Sequence, residues 1–388
     1  MRQLVEGNTT PGIITVLWQE GRPAYMGAAG VRAPGQAEAP SAADLFRLAS
    51  MTKIVTSTAA MQLVEQGRIG LDDPVARHLP EFEGLRVRQA DGSLAAPQSM
   101  PTLRQLMTHT AGFSYNFMNR PGIAEAYRAA RVTDGLADPE VTTEEAMRRL
   151  AAAPLAFQPG AEFHYSLATD VLGAVVERVT GRPLASFVAE RIARPLGLDS
   201  LTFRAGAGER ARFVPVTRSA QPTLALGQGW VPIPGREDVA FPATRGVATL
   251  DPERIFQPVA YNSGGGGMAG TIADYARFLQ ALMNGGELEG ARILRPESVA
   301  ALTTNATGGM ATLRGPGWAH GLGAGVLVDP AAANTRLPAG TWGWGGIFGT
   351  QFWGDPQNRI VGVVMTQTAV IGSGPVANLV REAFYSAE

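Results

Sequence analysis

The sequence predicts an α/β protein of the α+β type: an antiparallel sheet built from both termini, flanked by helices, with a mainly helical domain inserted between. Two observations carry this. Apolar, β-branched runs lie near each end, as in GIITVLWQ (12–19) and RIVGVVMTQT (359–368), whereas residues 71 to about 200 show helical spacing. No 20–50-residue repeat and no low-complexity tract interrupts that order. The expected units are residues 1–75 with 245–388 for the sheet and 76–244 for the helical domain, with a long loop around 205–260.

In chain order, GIITVLWQ, a turn EGRP and AYMGAAGVR read as a hairpin, because apolar runs flank a Gly-containing turn. A loop rich in Ala, Pro and Ser (33–43) follows. A helix then starts near Ser50 and runs to Glu65, with Val55, Ala59 and Leu63 at four-residue spacing and Gly67 suited to its C-cap. From LDDPVARHLPEF (71–82) to about residue 200 the reading is mainly helical, with short Pro- and Gly-bounded pieces; TLRQLMTHTAG, TTEEAMRRLAAAPL and ATDVLGAVVERVTG each have helical periodicity and an end signal. Residues 205–260 are rich in Pro, Arg and Gly and have no sustained period, which predicts a structureless functional loop. SGGGGMAG (263–270) predicts a tight turn into the helix IADYARFLQALMNG. GLGAGVLVD, GTQFWGD and RIVGVVMTQT follow as strands, and VANLVREAFYSA closes the chain as an amphipathic helix.

Bulk composition narrows the function. The chain has 388 residues, 45% hydrophobic and 17% charged, as expected of a globular enzyme-sized protein. A net charge of −1 offers no basic surplus for nucleic acid or anionic lipid. Zero Cys excludes disulfides and thiolate chemistry. The four His show no metal-ligand spacing, so neither a metal nor any other cofactor is expected. The opening MRQLVEGNTTPGIITVLWQEG has no basic n-region and no span-length apolar run, so a cytoplasmic protein without membrane contact is expected.

One residue stands out. The chain has 33 Lys plus Arg, and Lys53 is the only Lys. Ser50 stands three residues before it, so on a helix the two share a face. An amine so placed can take a serine hydroxyl's proton where its surroundings disfavour the ammonium, whereas a guanidinium cannot. With 14 Ser in the chain, that spacing arises by chance about 4% of the time. The flanking Leu48, Ala49, Ile54 and Val55 suit a buried face better than a drifting surface lysine. The other serine layout fails: no Ser lies in G-x-S-x-G, the nearest being Gly112-Phe-Ser114-Tyr-Asn116, which argues against an α/β-hydrolase.

SMTK, a helix and QGRIGLDDPV resemble the serine β-lactamase and penicillin-binding protein superfamily. The likeness is nearest to the class C-like branch that includes family VIII carboxylesterases. It continues in order through LMTHTAG (106–112), FQPGAEFHYSLATDVLG (157–173), SGGGGMAGTIADYARF (263–278) and WGGIFGTQFWGDP (344–356). The resemblance implies a β-lactamase-like sheet, Ser50 as acylated nucleophile, Lys53 as its proton acceptor and Tyr165 as their partner. Tyr115 and Tyr261 rival Tyr165 but fit the motif less well. The resemblance also implies the Ser50 and Ile347 N–H groups as oxyanion donors. Trp344, Gly345 and Gly346 fall where the family has K-T-G, and Leu167 where Y-x-N has Asn; these four are the expected pocket residues.

Both departures remove polar recognition, so a small to medium neutral ester is the expected substrate. A β-lactamase, D-Ala peptidase or amide hydrolase of the same fold, an acyltransferase, and a catalytically silent binding protein remain open. His109 in THTAG reads as a packing residue, and SGGGG lacks the G-K-[ST] ending of a phosphate loop.

Overall fold

The computed structural model of the chain describes residues 1–220, 229–369 and 375–386. The elements that position the site are β1 (Gly12–Gln19), β2 (Arg22–Gly30), α1 (Thr52–Glu65), α2 (Leu103–Met107), α3 (Thr143–Ala151), α4 (Ala168–Thr180), α5 (Ile272–Met283), β3 (Trp318–His320), β4 (Gly325–Leu327), β5 (Trp342–Gly345), β6 (Gln351–Asp355), β7 (Ile360–Met365) and α6 (Pro375–Tyr385). Seven of these strands form one sheet in the order β3-β4-β5-β6-β7-β1-β2, antiparallel throughout. Both ends of the chain therefore meet in the sheet, where β1 pairs with β7 in the register Ile14 to Met365.

Alternation along the strands makes two layers. Val16, Phe352 and Val363 face the main core with α1, α4 and α5, while Ile13, Leu17, Trp353 and Val364 form a second cluster with Val376 of α6. α1 is buried on every side from Thr52 to Leu63, so its four-residue spacing marks the centre of the molecule and not one face of a surface helix. Its end is as expected: Gly67 lies in the left-handed region (φ 66°), and Arg68 N–H reaches Leu63 O at 3.0 Å.

Two expectations need correction. The first hairpin turns on two residues, Glu20 (φ 51°) and Gly21 (φ 80°), with Arg22 and Pro23 already in β2. A two-residue turn with both φ positive matches the right-handed twist of the strands better than a longer one. The stretch 205–260 is not structureless. Thr217–Ser219 pairs with Trp230–Pro232, and Glu237–Phe241 pairs with Gly246–Leu250; residues 221–228 lie outside the described residues. Strands of three to five residues among Pro and Gly are too short to display a period. The strand β3 likewise had no signal of its own. No helix among the described residues is long and apolar enough to cross a membrane.

Candidate active site

Ser50 sits in a single 3-10 turn, Ala49–Met51, that runs directly into α1. Ala49 takes a left-handed φ of 47°, uncommon for a residue with a Cβ, and this bend delivers Ser50 to the mouth of the helix. One turn on, Lys53 is 4% exposed. Its Nζ donates to Gly265 O (2.7 Å), Tyr115 OH (2.8 Å) and Ser50 Oγ (3.3 Å), which engages all three ammonium protons. The Tyr165 hydroxyl donates to Ser50 Oγ at 2.6 Å, and Lys53 Nζ lies 4.8 Å from the Tyr165 ring centroid. Ser50, Lys53 and Tyr165 are thus brought together.

The three tyrosines weighed from the sequence all join one network, at increasing depth. Tyr165 meets Ser50, Tyr115 meets Lys53, and Tyr261 lies behind them on Asp170. Asp170, 1% exposed on α4, accepts from Tyr261 OH (2.6 Å), Ser263 Oγ (2.6 Å) and Gly265 N–H (3.2 Å) through one oxygen, and Tyr115 OH lies 3.5 Å from the other. Burial first, and the Asp170 charge second, push the Tyr115 and Tyr261 phenols well above their ordinary range, so both stay protonated. Sequence reasoning missed Asp170 and Gly265. Four consecutive glycines were the available signal, being more than a turn requires: a Cβ on Gly265 would stand 2.1 Å from Asp170 Oδ2 and 2.8 Å from Tyr115 OH.

The end of β5 closes the other side. Trp344 is 7% exposed, with its ring 5.4 Å from that of Tyr165 and 5.1 Å from that of His320. Gly346 lets the strand press against the segment leading to Ser50: a Cβ there would lie 2.6 Å from Leu48 O and 3.1 Å from Ala49 Cβ. Ile347 follows in the turn, and its N–H makes no hydrogen bond among the described residues. The Ser50 N–H occupies the first turn of a helix, where amides lack an internal acceptor. Leu167 is 2% exposed at the N-terminus of α4 and packs in the main core.

His109 is 2% exposed, with Nδ1 3.3 Å from Ser166 Oγ and its ring 4.9 Å from that of Tyr165. Ser114, of the near-miss elbow, is fully buried, with Oγ 2.9 Å from His164 Nε2. No group of three or more His, Asp or Glu among the described residues could hold a metal ion.

His109 and His320 lie 5.5 Å apart, ring to ring, and burial is the main reason both favour the neutral form; His320 is brought down to about 4. A folded pKa below the unfolded value of about 6.5 means the unfolded chain binds more protons between pH 6.5 and 4. His320 therefore withdraws stability as pH falls through that window, by up to roughly 3 kcal/mol. In His320→Asn the urea midpoint is expected to fall less steeply between pH 7 and 4 than in the wild type.

A family model described as Beta-lactamase matches residues 1–383. Esterase EstB of Burkholderia gladioli is 39% identical over 380 residues, 97% of this chain and 91% of that protein. Acyltransferase calJ of Penicillium decumbens is 29% identical over 87% of this chain and 79% of its own length. The solved structure of EstCE1, described as a hydrolase with promiscuous acyltransferase activity, superposes with a TM-score of 0.86 at 33% identity, covering 99% of this chain and 96% of that one.

Proposed function

The chain belongs to the β-lactamase family, and from that premise we propose that it is a serine carboxylesterase, of the family VIII type, acting on small to medium neutral esters. The observation that carries the reading is the contact of both Lys53 Nζ and Tyr165 OH with Ser50 Oγ. Likeness to an esterase over 97% of the chain supports the substrate class.

In the reactive form the Lys53–Tyr165 pair has given up one proton, and Ser50 Oγ attacks the ester carbonyl as its own proton passes to that vacant position on the pair. The N–H groups of Ser50 and Ile347 hold the oxyanion of the tetrahedral intermediate, a kind of interaction worth roughly 3–4 kcal/mol per donor. The bond to the alkoxy oxygen breaks as Tyr165 returns a proton to it, releasing the alcohol and leaving acyl-Ser50. Water then attacks the acyl carbonyl, and the same pair moves its proton. The acid leaves and the Ser50 hydroxyl is restored. Tyr115, held protonated and fixed by Asp170, orients the Lys53 amine.

Trp344 in place of a lysine removes a cation, and Leu167 in place of an amide removes a polar side chain, at the two positions where the family pattern has them. Gly345 and Gly346 let the strand end pack closely, since a Cβ would stand 2.9 Å from Gln351 Cγ at the first and 2.6 Å from Leu48 O at the second. Turnover of a short p-nitrophenyl ester against a chromogenic cephalosporin tests the reading. The ester is expected to have a kcat/KM higher by at least about 100-fold; the reverse order would overturn it. A second reading, acyl transfer to an alcohol, is supported by the likeness to EstCE1 and calJ. It needs the same acyl-enzyme and differs only in the attacking hydroxyl.

A further inference from the structure

The back face of the sheet, away from Ser50, is covered by α6. Arg381 of α6 is 4% exposed there, with its guanidinium carbon 6.0 Å from the centroid of the Trp353 ring. Its guanidinium makes no ion pair among the described residues, and its one hydrogen bond runs from Nη2 to Asn378 Oδ1 in the preceding turn of the same helix. Its Nε is buried without a hydrogen-bond partner among the described residues. The Trp353 indole lies across β7, where Gly362 makes room for it: a Cβ there would stand 2.1 Å from the ring. Trp353 is fully buried, and its Nε1–H also has no partner among the described residues. A third orphan, Thr15 Oγ1, belongs to the same face, because Thr15 pairs with Val364 of the back cluster.

The carboxylates nearest in the chain and fold are already engaged. Glu382 accepts from Thr335 Oγ1 (2.6 Å). Asp355 accepts from Gln357 N–H and Asn358 N–H through Oδ1, and from Asn358 Nδ2 and Tyr385 OH through Oδ2. This layer therefore holds a cation, two unpaired N–H donors and one unpaired hydroxyl, with no carboxylate in ion-pair range of the cation among the described residues. Leaving such groups buried and unpaired is among the costliest arrangements a core can contain. Burial also lowers the Arg381 pKa to about 10, which still leaves the group charged at neutral pH.

We propose that the layer between α6 and the sheet is an anion site, in which Arg381 Nε and Trp353 Nε1 bind one small monovalent anion of the halide class. The donor atoms are enclosed, and a multiply charged oxyanion would lose far more hydration than a halide on entering. The ion pins the C-terminal helix to the sheet and takes no part in ester chemistry.

Two measurements on the full chain test this. In crystals grown with sodium bromide, an anomalous peak is expected within about 3.5 Å of both nitrogens; a map with no peak there overturns the site. In solution at constant ionic strength, replacing gluconate by chloride is expected to raise the wild-type Tm by about 3–5 °C and then saturate. Arg381→Met and the milder Trp353→Phe should lose that increment while keeping ester turnover. A chloride increment equal in all three proteins, or none in the wild type, overturns the proposal. A phosphate increment larger than chloride's overturns the halide assignment.

Discussion

Lys53→Arg lowers kcat for a short p-nitrophenyl ester by at least about 1,000-fold, although the positive charge is retained. The amine lies between Gly265 O, Tyr115 OH and Ser50 Oγ, at 2.7, 2.8 and 3.3 Å, and between two tyrosine rings 4.8 and 5.2 Å away. A guanidinium is larger than that space and does not release a proton in a protein. Proton transfer from Ser50 is thereby lost, and the ring of Tyr165 is displaced from Oγ. Stopped-flow turnover with circular dichroism as a fold control checks this. A folded Lys53→Arg enzyme with most of its activity would remove the mechanistic account of the lone lysine.

Ser50→Ala is expected to abolish turnover, by about 10,000-fold or more, and to end labelling by a fluorophosphonate probe, because no acyl-enzyme can form. Ser50 is only partly buried and its Oγ serves as acceptor for Lys53 and Tyr165, so the variant should remain folded. The same probe tests the non-catalytic reading: mass spectrometry of the labelled wild type should place the adduct on Ser50. An unlabelled Ser50 in folded wild-type protein would favour a binding role.

Much of this site was legible because its first part is local. Ser50 and Lys53 are three residues apart, and helix geometry alone puts them on one face. Tyr165 was legible only through resemblance, since 115 positions separate it from Ser50. Among three tyrosines in unremarkable contexts, spacing cannot say which one reaches the nucleophile. Asp170 and Gly265 were illegible for the same reason: Lys53 and Gly265 are 212 positions apart and meet through the carbonyl of a glycine, which has no side chain to betray it. The 205–260 region failed differently, since strands of three to five residues do not outlast the noise of Pro and Gly around them.

The sequence by itself determined that strands lie at the ends and helices in the middle, and that one serine and one lysine share the start of a helix. Those facts follow from periodicities of two and about four, which are properties of neighbouring residues. The tertiary structure alone decided that Tyr165 faces Ser50 while Tyr115 faces Lys53, that Asp170 closes the network, and that Arg381 is buried with no ion-pair partner among the described residues. Each depends on how close packing brings distant segments within hydrogen-bond range, which no local pattern encodes.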